Sequence, residues 1–203
     1  MSHFNIETIP AGTYAIEHRG SKTLRAFLGS CVGLVLIDKK SGVGGLLHIL
    51  LPEPPARASI EEPEKYASTA VPVFIAALLT KCAKKENLEA FIAGGSLVGQ
   101  VSMMDLKLDI GGQSAEVVEN YVKLEGINVG KIETGGYISN QISLDMNKME
   151  CTIDPILNIH PMLDGESEKK VEIDFYTALS RIKPIPQIAL KVKIGRASCR
   201  ERV

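Results

Sequence analysis

The sequence lacks a long hydrophobic run. Hydrophobic residues make up 45% of its 203 residues, yet no stretch approaches the length that crosses a bilayer. The first residues hold no basic segment followed by an apolar core, so no secretory signal is expected. An excess of one charge is absent too. The formal net charge of −1 gives no sign of nucleic-acid binding through phosphate neutralisation. Cysteine is sparse, and Cys31, Cys82, Cys151 and Cys199 show neither metal-type nor disulfide-framework spacing. His3, His18 and His160 form no ligand motif with them, so no metal and no cofactor is expected. A reducing, cytoplasmic setting without membrane insertion is the reading that remains. The length suits one domain plus a fragment.

What is present is a cysteine and a histidine seventeen positions apart, Cys31 in Leu28-Gly29-Ser30-Cys31-Val32 and His48 in His48-Ile49-Leu50-Leu51-Pro52. A thiolate is a soft nucleophile, and imidazole exchanges its proton near neutral pH. Val32 to Asp38 reads as a buried strand, Lys39 to Gly42 as a turn, and Val43 to Leu51 as a second strand. In an antiparallel hairpin that pairs Ile37 with Val43, Cys31 falls opposite Ile49 and His48 faces away. One extra residue in the second strand restores the face, so a bulge is expected at Gly44-Gly45. Against this stands the plainer reading of a small buried cysteine and a hydrogen-bonded structural histidine.

The wording around the pair resembles the CheD family of chemotaxis proteins. Leu28-Gly29-Ser30-Cys31-Val32 and Gly44-Gly45-Leu46-Leu47-His48-Ile49-Leu50-Leu51-Pro52 carry the likeness. Lys65 to Ala70, Ile92-Ala93-Gly94-Gly95, Ile110-Gly111 and Thr134-Gly135-Gly136 extend it over roughly residues 8–153. The resemblance implies a protein-glutamine deamidase acting on the cytoplasmic domain of methyl-accepting chemoreceptors. It implies the CheC phosphatase as a further partner, and a fold similar to the catalytic domain of cytotoxic necrotizing factor toxins. Cys31 would be the nucleophile and His48 the acid/base. Gly29, Ser30, Gly94 and Gly95 would lie near the substrate and its oxyanion. The family's third catalytic member is a threonine six residues before the cysteine, a position held here by Arg25. Thr23, two residues earlier on the same strand face, is the expected substitute, against the reading of an ordinary strand threonine. Ser114 stands for the family's asparagine, and Ser139-Asn140 for its Gly-Arg. These departures leave open a CheD-like adaptor with weak or no catalysis.

Elsewhere Ile9 to Ala15, Thr23 to Leu28, Leu88 to Ala93, Ile127 to Glu133, Gln141 to Asn147 and Met149 to Ile153 read as strands. A helix is expected to start at Ser68 or Thr69, with Pro72 in its first turn and Cys82 in the core. A second is capped by Ser114 and stopped by Gly126. Leu51 to Glu64 is a proline-rich loop, either a lid or a solvated connector. Met103 and Met104 read as core or rim packing. The fold class is α+β, an α/β sandwich of two main helices on a mixed, largely antiparallel sheet. Residues 1–157 form the CheD-like domain and 158–172 a charged linker. Residues 173–193 resemble a stub of an HDOD signalling domain, and 194–203 a translated sequencing adapter.

Overall fold

The computed structural model describes residues 5–54, 62–98 and 107–156. Part of the proline-rich loop, Met103, Met104 and the expected linker, stub and adapter segments lie outside the described residues.

The centre is the hairpin β4 (Val32–Asp38) and β5 (Val43–Ile49), in which every residue is buried. A continuous apolar run is what a strand covered on both faces requires. Around it a five-stranded sheet has the order β2-β5-β4-β6-β7, with β2 Thr13–His18, β6 Leu88–Gly94 and β7 Asn128–Thr134. A four-stranded sheet has the order β1-β3-β8-β9, with β1 Asn5–Thr8, β3 Lys22–Leu28, β8 Asn140–Asp145 and β9 Glu150–Pro155. Pairs β1·β3 and β6·β7 are parallel and the other sheet pairs antiparallel. The expected α+β class is observed, but its single mixed sheet is two. Alternation alone does not tell whether a strand's second face meets a helix or another sheet.

Two cores result. On one face of the central sheet Leu34, Leu36, Leu47 and Ile49 pack under α1 (Ala67–Thr80) and α2 (Ile110–Leu124). On the other, Val35, Ile37, Leu46 and Ala93 meet Leu24, Ala26, Leu28, Ile142 and Leu144 of the four-stranded sheet. The buried positions of α1, Ala67, Ala70, Val71, Phe74, Ile75 and Leu78, follow helical spacing. Those of α2 begin small, with Gly111, Ser114 and Ala115. Backbone can therefore meet backbone there. A Cβ on Gly111 would lie 2.7 Å from the Gly95 carbonyl oxygen.

The register of the hairpin differs from the expectation, and no bulge is present at Gly44-Gly45. Pairing is regular, with Asp38 opposite Val43, Ile37 opposite Gly44 and Leu36 opposite Gly45. The turn chemistry explains the one-residue difference. The Asp38 carboxylate accepts the N–H groups of Lys40 (2.9 Å) and Ser41 (3.0 Å), and its second oxygen accepts the Lys84 N–H (2.9 Å). Gly42, at φ +69°, closes the loop by donating to the Asp38 carbonyl. Asp38 thus pairs with Val43, the place expected for Ile37. A register shift does occur between β6 and β7, at Ala90/Phe91, where Gly130 is the unpaired residue.

Four local readings change. Ile9 to Ala15 is not one strand, because a turn at Ala11-Gly12 separates β1 from β2. Helix α1 starts at Ala67 with no side-chain cap, which places Pro72 in the helix interior. Helix α2 starts at Ile110, where Asp109 accepts the Gly112 N–H (3.2 Å). Ser114 lies inside that helix and donates to the Ile110 carbonyl. Cys82 is exposed and left-handed (φ 73°), just past the end of α1. Ala83 and Cys82 donate to the Leu78 and Leu79 carbonyls there, the six-to-one and five-to-two bonds of a Schellman stop.

Candidate active site

Regular pairing brings Cys31 and His48 to one face. His48 lies directly opposite Gly33. Cys31 is two residues before Gly33, and the ladder to β6 runs on through it: the Gly95 N–H donates to the Cys31 carbonyl (2.8 Å). Side chains two apart share a face, so Cys31 and His48 are diagonal neighbours, about 7–8 Å or less between Cβ atoms. Both face the interval between the sheets, where Cys31 packs against the core that includes Leu28 and Ala93. Gly33 adds no side chain beside the imidazole. A Cβ there would lie 2.8 Å from a Leu28 methyl group.

His48 is 6% exposed. Its Nδ1 lies 2.8 Å from the Ile9 carbonyl oxygen. A carbonyl only accepts, so Nδ1 carries the proton and Nε2 the lone pair. Nε2 is buried and has no hydrogen-bond partner among the described residues. Burial holds the imidazole below its ordinary pKa, against the opposing effect of the Ile9 bond. Burial also pushes the Cys31 thiol above its ordinary value. At neutral pH both groups are uncharged: a protonated thiol beside an imidazole whose free nitrogen is a base. The strap that holds the ring is main chain. Ile9 also donates its N–H to the Arg25 carbonyl (2.8 Å), and Gly12 donates to the His48 carbonyl (2.7 Å). Sequence reasoning placed Ile9 inside a strand and missed it, since a carbonyl ligand leaves no side-chain signature.

The thiol loop is fixed from behind. Ser96 donates its N–H to the Gly29 carbonyl (2.8 Å), and its buried hydroxyl donates to Gly135 (2.8 Å). Gly94 has φ +101°, and a Cβ on it would lie 2.2 Å from the Cys31 carbonyl oxygen. Gly94 and Gly95 therefore abut the cysteine, but the Gly95 N–H is already committed to Cys31. The first turn of α2 rests on Gly95 through Gly111, which brings the positive end of that helix dipole up to the loop. Ser30 is exposed beside Cys31, and Gly29 faces a Val98 methyl group at 2.9 Å from where its Cβ would be.

Thr23 is placed elsewhere. In β3, Leu24, Ala26 and Leu28 face the core between the sheets, so Thr23 and Arg25 project from the opposite, outer face. The sheet separates Thr23 from Cys31 and His48. The shared face assumed for Thr23 and Arg25 is right, but it is not the face of the thiol. The position next to His48 Nδ1 is filled by the Ile9 carbonyl.

The arrangement sets a thiol, just before β4, on the same face as a main-chain-oriented imidazole in β5. The chain belongs to the CheD family. A family model described as CheD chemotactic sensory transduction matches residues 50–155. That span starts just after His48, so the thiol–imidazole arrangement is read from geometry. A probable chemoreceptor glutamine deamidase CheD of Clostridium kluyveri is 35% identical over 64% of this chain and 82% of its own. One of Methanococcus vannielii is 32% identical over 64% of this chain and 83% of its own. The chemoreceptor glutamine deamidase CheD of Thermotoga maritima is 35% identical over 64% and 79%. A crystal structure of Neisseria meningitidis protein NMB0706 aligns with TM-score 0.37 and 11% identity, over 66% of this chain and 63% of that one.

Proposed function

We propose that this chain is a protein-glutamine deamidase of methyl-accepting chemoreceptors, with Cys31 as nucleophile and His48 as acid and base. One observation carries the catalytic assignment. Among the described residues the buried Nε2 of His48 has no partner, on the face that Cys31 shares, while Nδ1 is pinned to Ile9. The names of the relatives supply the substrate class.

The chemistry follows from those groups. Nε2 takes the thiol proton as sulfur attacks the side-chain amide carbon of a receptor glutamine. The tetrahedral oxyanion is met by backbone N–H groups of the Gly29–Cys31 loop, near the positive end of α2. The imidazolium gives its proton to the departing nitrogen, and ammonia leaves a thioester on Cys31. Nε2 then takes a proton from water. The resulting attack releases glutamate and restores the thiol. The Ile9 carbonyl keeps the ring in one tautomer throughout, which is the task of the third member of such a site.

The finer points of the resemblance are proposed with it. Docking to the CheC phosphatase, a cytoplasmic location and a likeness to the cytotoxic necrotizing factor catalytic domain are supported by family membership and by the β-sandwich placement of the pair. Incubating the protein with a chemoreceptor cytoplasmic fragment tests the activity. Mass spectrometry would find a gain of about 1 Da per modified glutamine, with one equivalent of ammonia, as thioester hydrolysis requires. An unmodified receptor fragment beside a folded protein that captures CheC would instead establish the adaptor.

A further inference from the structure

The main chain beside the thiol is half-paired. Val32 is opposite Gly94 in the β4–β6 ladder, and the next step of that register sets Cys31 opposite Gly95. An antiparallel pair of this kind exchanges two bonds. One is made, from the Gly95 N–H to the Cys31 carbonyl (2.8 Å). The return bond, from the Cys31 N–H to the Gly95 carbonyl, is absent among the described residues. Gly95 has φ +69°, and its carbonyl oxygen is turned against the first turn of α2, 2.7 Å from where a Cβ on Gly111 would be. The turn uncovers the N–H of the cysteine beside the positive end of that helix. Ser96, fully buried, holds the turn in place. Its N–H donates to the Gly29 carbonyl on the loop before the thiol (2.8 Å), and its hydroxyl to the Gly135 carbonyl on the loop after β7 (2.8 Å). Gly135 in turn donates its N–H to the Gly94 carbonyl (2.8 Å).

We propose that Ser96 is a positioning residue, whose hydroxyl locks Gly95 in the turned conformation that leaves the Cys31 N–H open to the oxyanion. This rests on the reading of Cys31 as the nucleophile. Without the tie to Gly135, the Gly95 carbonyl swings back onto the Cys31 N–H, the partner that the ladder register offers it. That donor is then occupied when negative charge develops on the substrate oxygen, the moment at which it lowers the barrier.

The test compares two reactions of the thiol in the full chain, parent beside Ser96→Ala, with peptide mapping to locate each product. In acylation by p-nitrophenyl acetate, sulfur adds to the ester carbon through an oxyanion, nitrophenolate leaves, and the thiol proton passes to His48. In alkylation by iodoacetamide, sulfur displaces iodide and no oxyanion forms. Ser96→Ala should slow acylation of Cys31 by about tenfold or more, since full loss of one oxyanion donor costs about 10²–10³. Its alkylation should keep the parent rate. Ile75→Val, which removes one core methyl group within α1, controls for lowered stability and should slow neither reaction. An unchanged acylation rate in Ser96→Ala overturns the proposal. Equal slowing of both reactions also overturns it, because that marks a merely structural serine. A parent alkylated but never acylated at Cys31 overturns the nucleophile reading itself, and this proposal with it.

Discussion

Gly94→Ala should damage both the fold and the chemistry, and Gly135→Ala should damage neither much. Both glycines have positive φ, +101° and +79°. A side chain in such a conformation costs about 1–2 kcal/mol wherever it occurs. The difference lies in what the new methyl meets. At Gly135 nothing lies within 4 Å, whereas at Gly94 the Cys31 carbonyl oxygen is 2.2 Å away and Leu28 Cβ 3.1 Å. Ordinary contact needs a retreat of about 1 Å by backbone that also holds the Gly95 N–H bond. With that bond lost and the core side chain Leu28 displaced, Gly94→Ala should cost about 3–5 kcal/mol in all. For a domain of this size that is a fall of roughly 6–20 °C in Tm, against about 2–8 °C for Gly135→Ala. A 1 Å displacement of the reacting group also costs about a hundredfold in rate. Thermal unfolding and deamidation rate, measured on both variants, make the comparison. Equal losses in the two would refute the claim that Gly94 is required by the thiol loop.

Three other outcomes are expected. Burial raises the Asp38 carboxyl pKa, but the three backbone N–H bonds outweigh it and the net shift is downward. Its stabilisation is therefore complete above the unfolded pKa and is lost as pH falls through the folded one. Asp38→Ala should cost about 2–4 kcal/mol in urea unfolding at pH 7, and Asp38→Asn should flatten the stability loss below about pH 4. Cys82→Gly relieves a left-handed residue and should raise stability by up to about 1 kcal/mol, read as Tm. Iodoacetamide labelling of Cys31, followed by peptide mapping, should climb at higher pH than that of free cysteine, because burial raises its pKa in the resting protein. A labelling plateau below pH 7 would mean a resting thiolate–imidazolium pair.

The strands were legible wherever their sequence was long and apolar. Val32 to Asp38 stands as β4 with the same ends, because a run buried on both faces carries its own signal. The pairing of that strand was not legible. It turns on whether Asp38 or Ile37 pairs with Val43, and the Asp38 carboxylate is held at the strand end in part by the Lys84 N–H, 46 positions away. Helix ends shifted for a similar reason. Asp109, not Ser114, holds the first turn of α2, and both residue types cap equally well in isolation. Cys82 keeps helical spacing with Leu78 and Leu79 but falls past the last turn, where spacing no longer reports direction. Cys31 and His48 could be singled out from residue chemistry. Thr23 could not be placed, because alternation assigns it to a face without telling which face meets the central sheet. Ile9 acts through its carbonyl, which any residue would supply.

Cys31 and His48, with the Ile9 carbonyl, are proposed as the reacting group, with Thr23 outside it. Single-turnover deamidation of a receptor fragment by Cys31→Ala, His48→Ala and Thr23→Val, beside the parent protein, tests this most directly. Activity within a few-fold of the parent is expected for Thr23→Val, and losses of about 10³ or more for the other two, as for removal of a nucleophile or its base. Full activity in Cys31→Ala, or a loss in Thr23→Val as deep as that in His48→Ala, would contradict it.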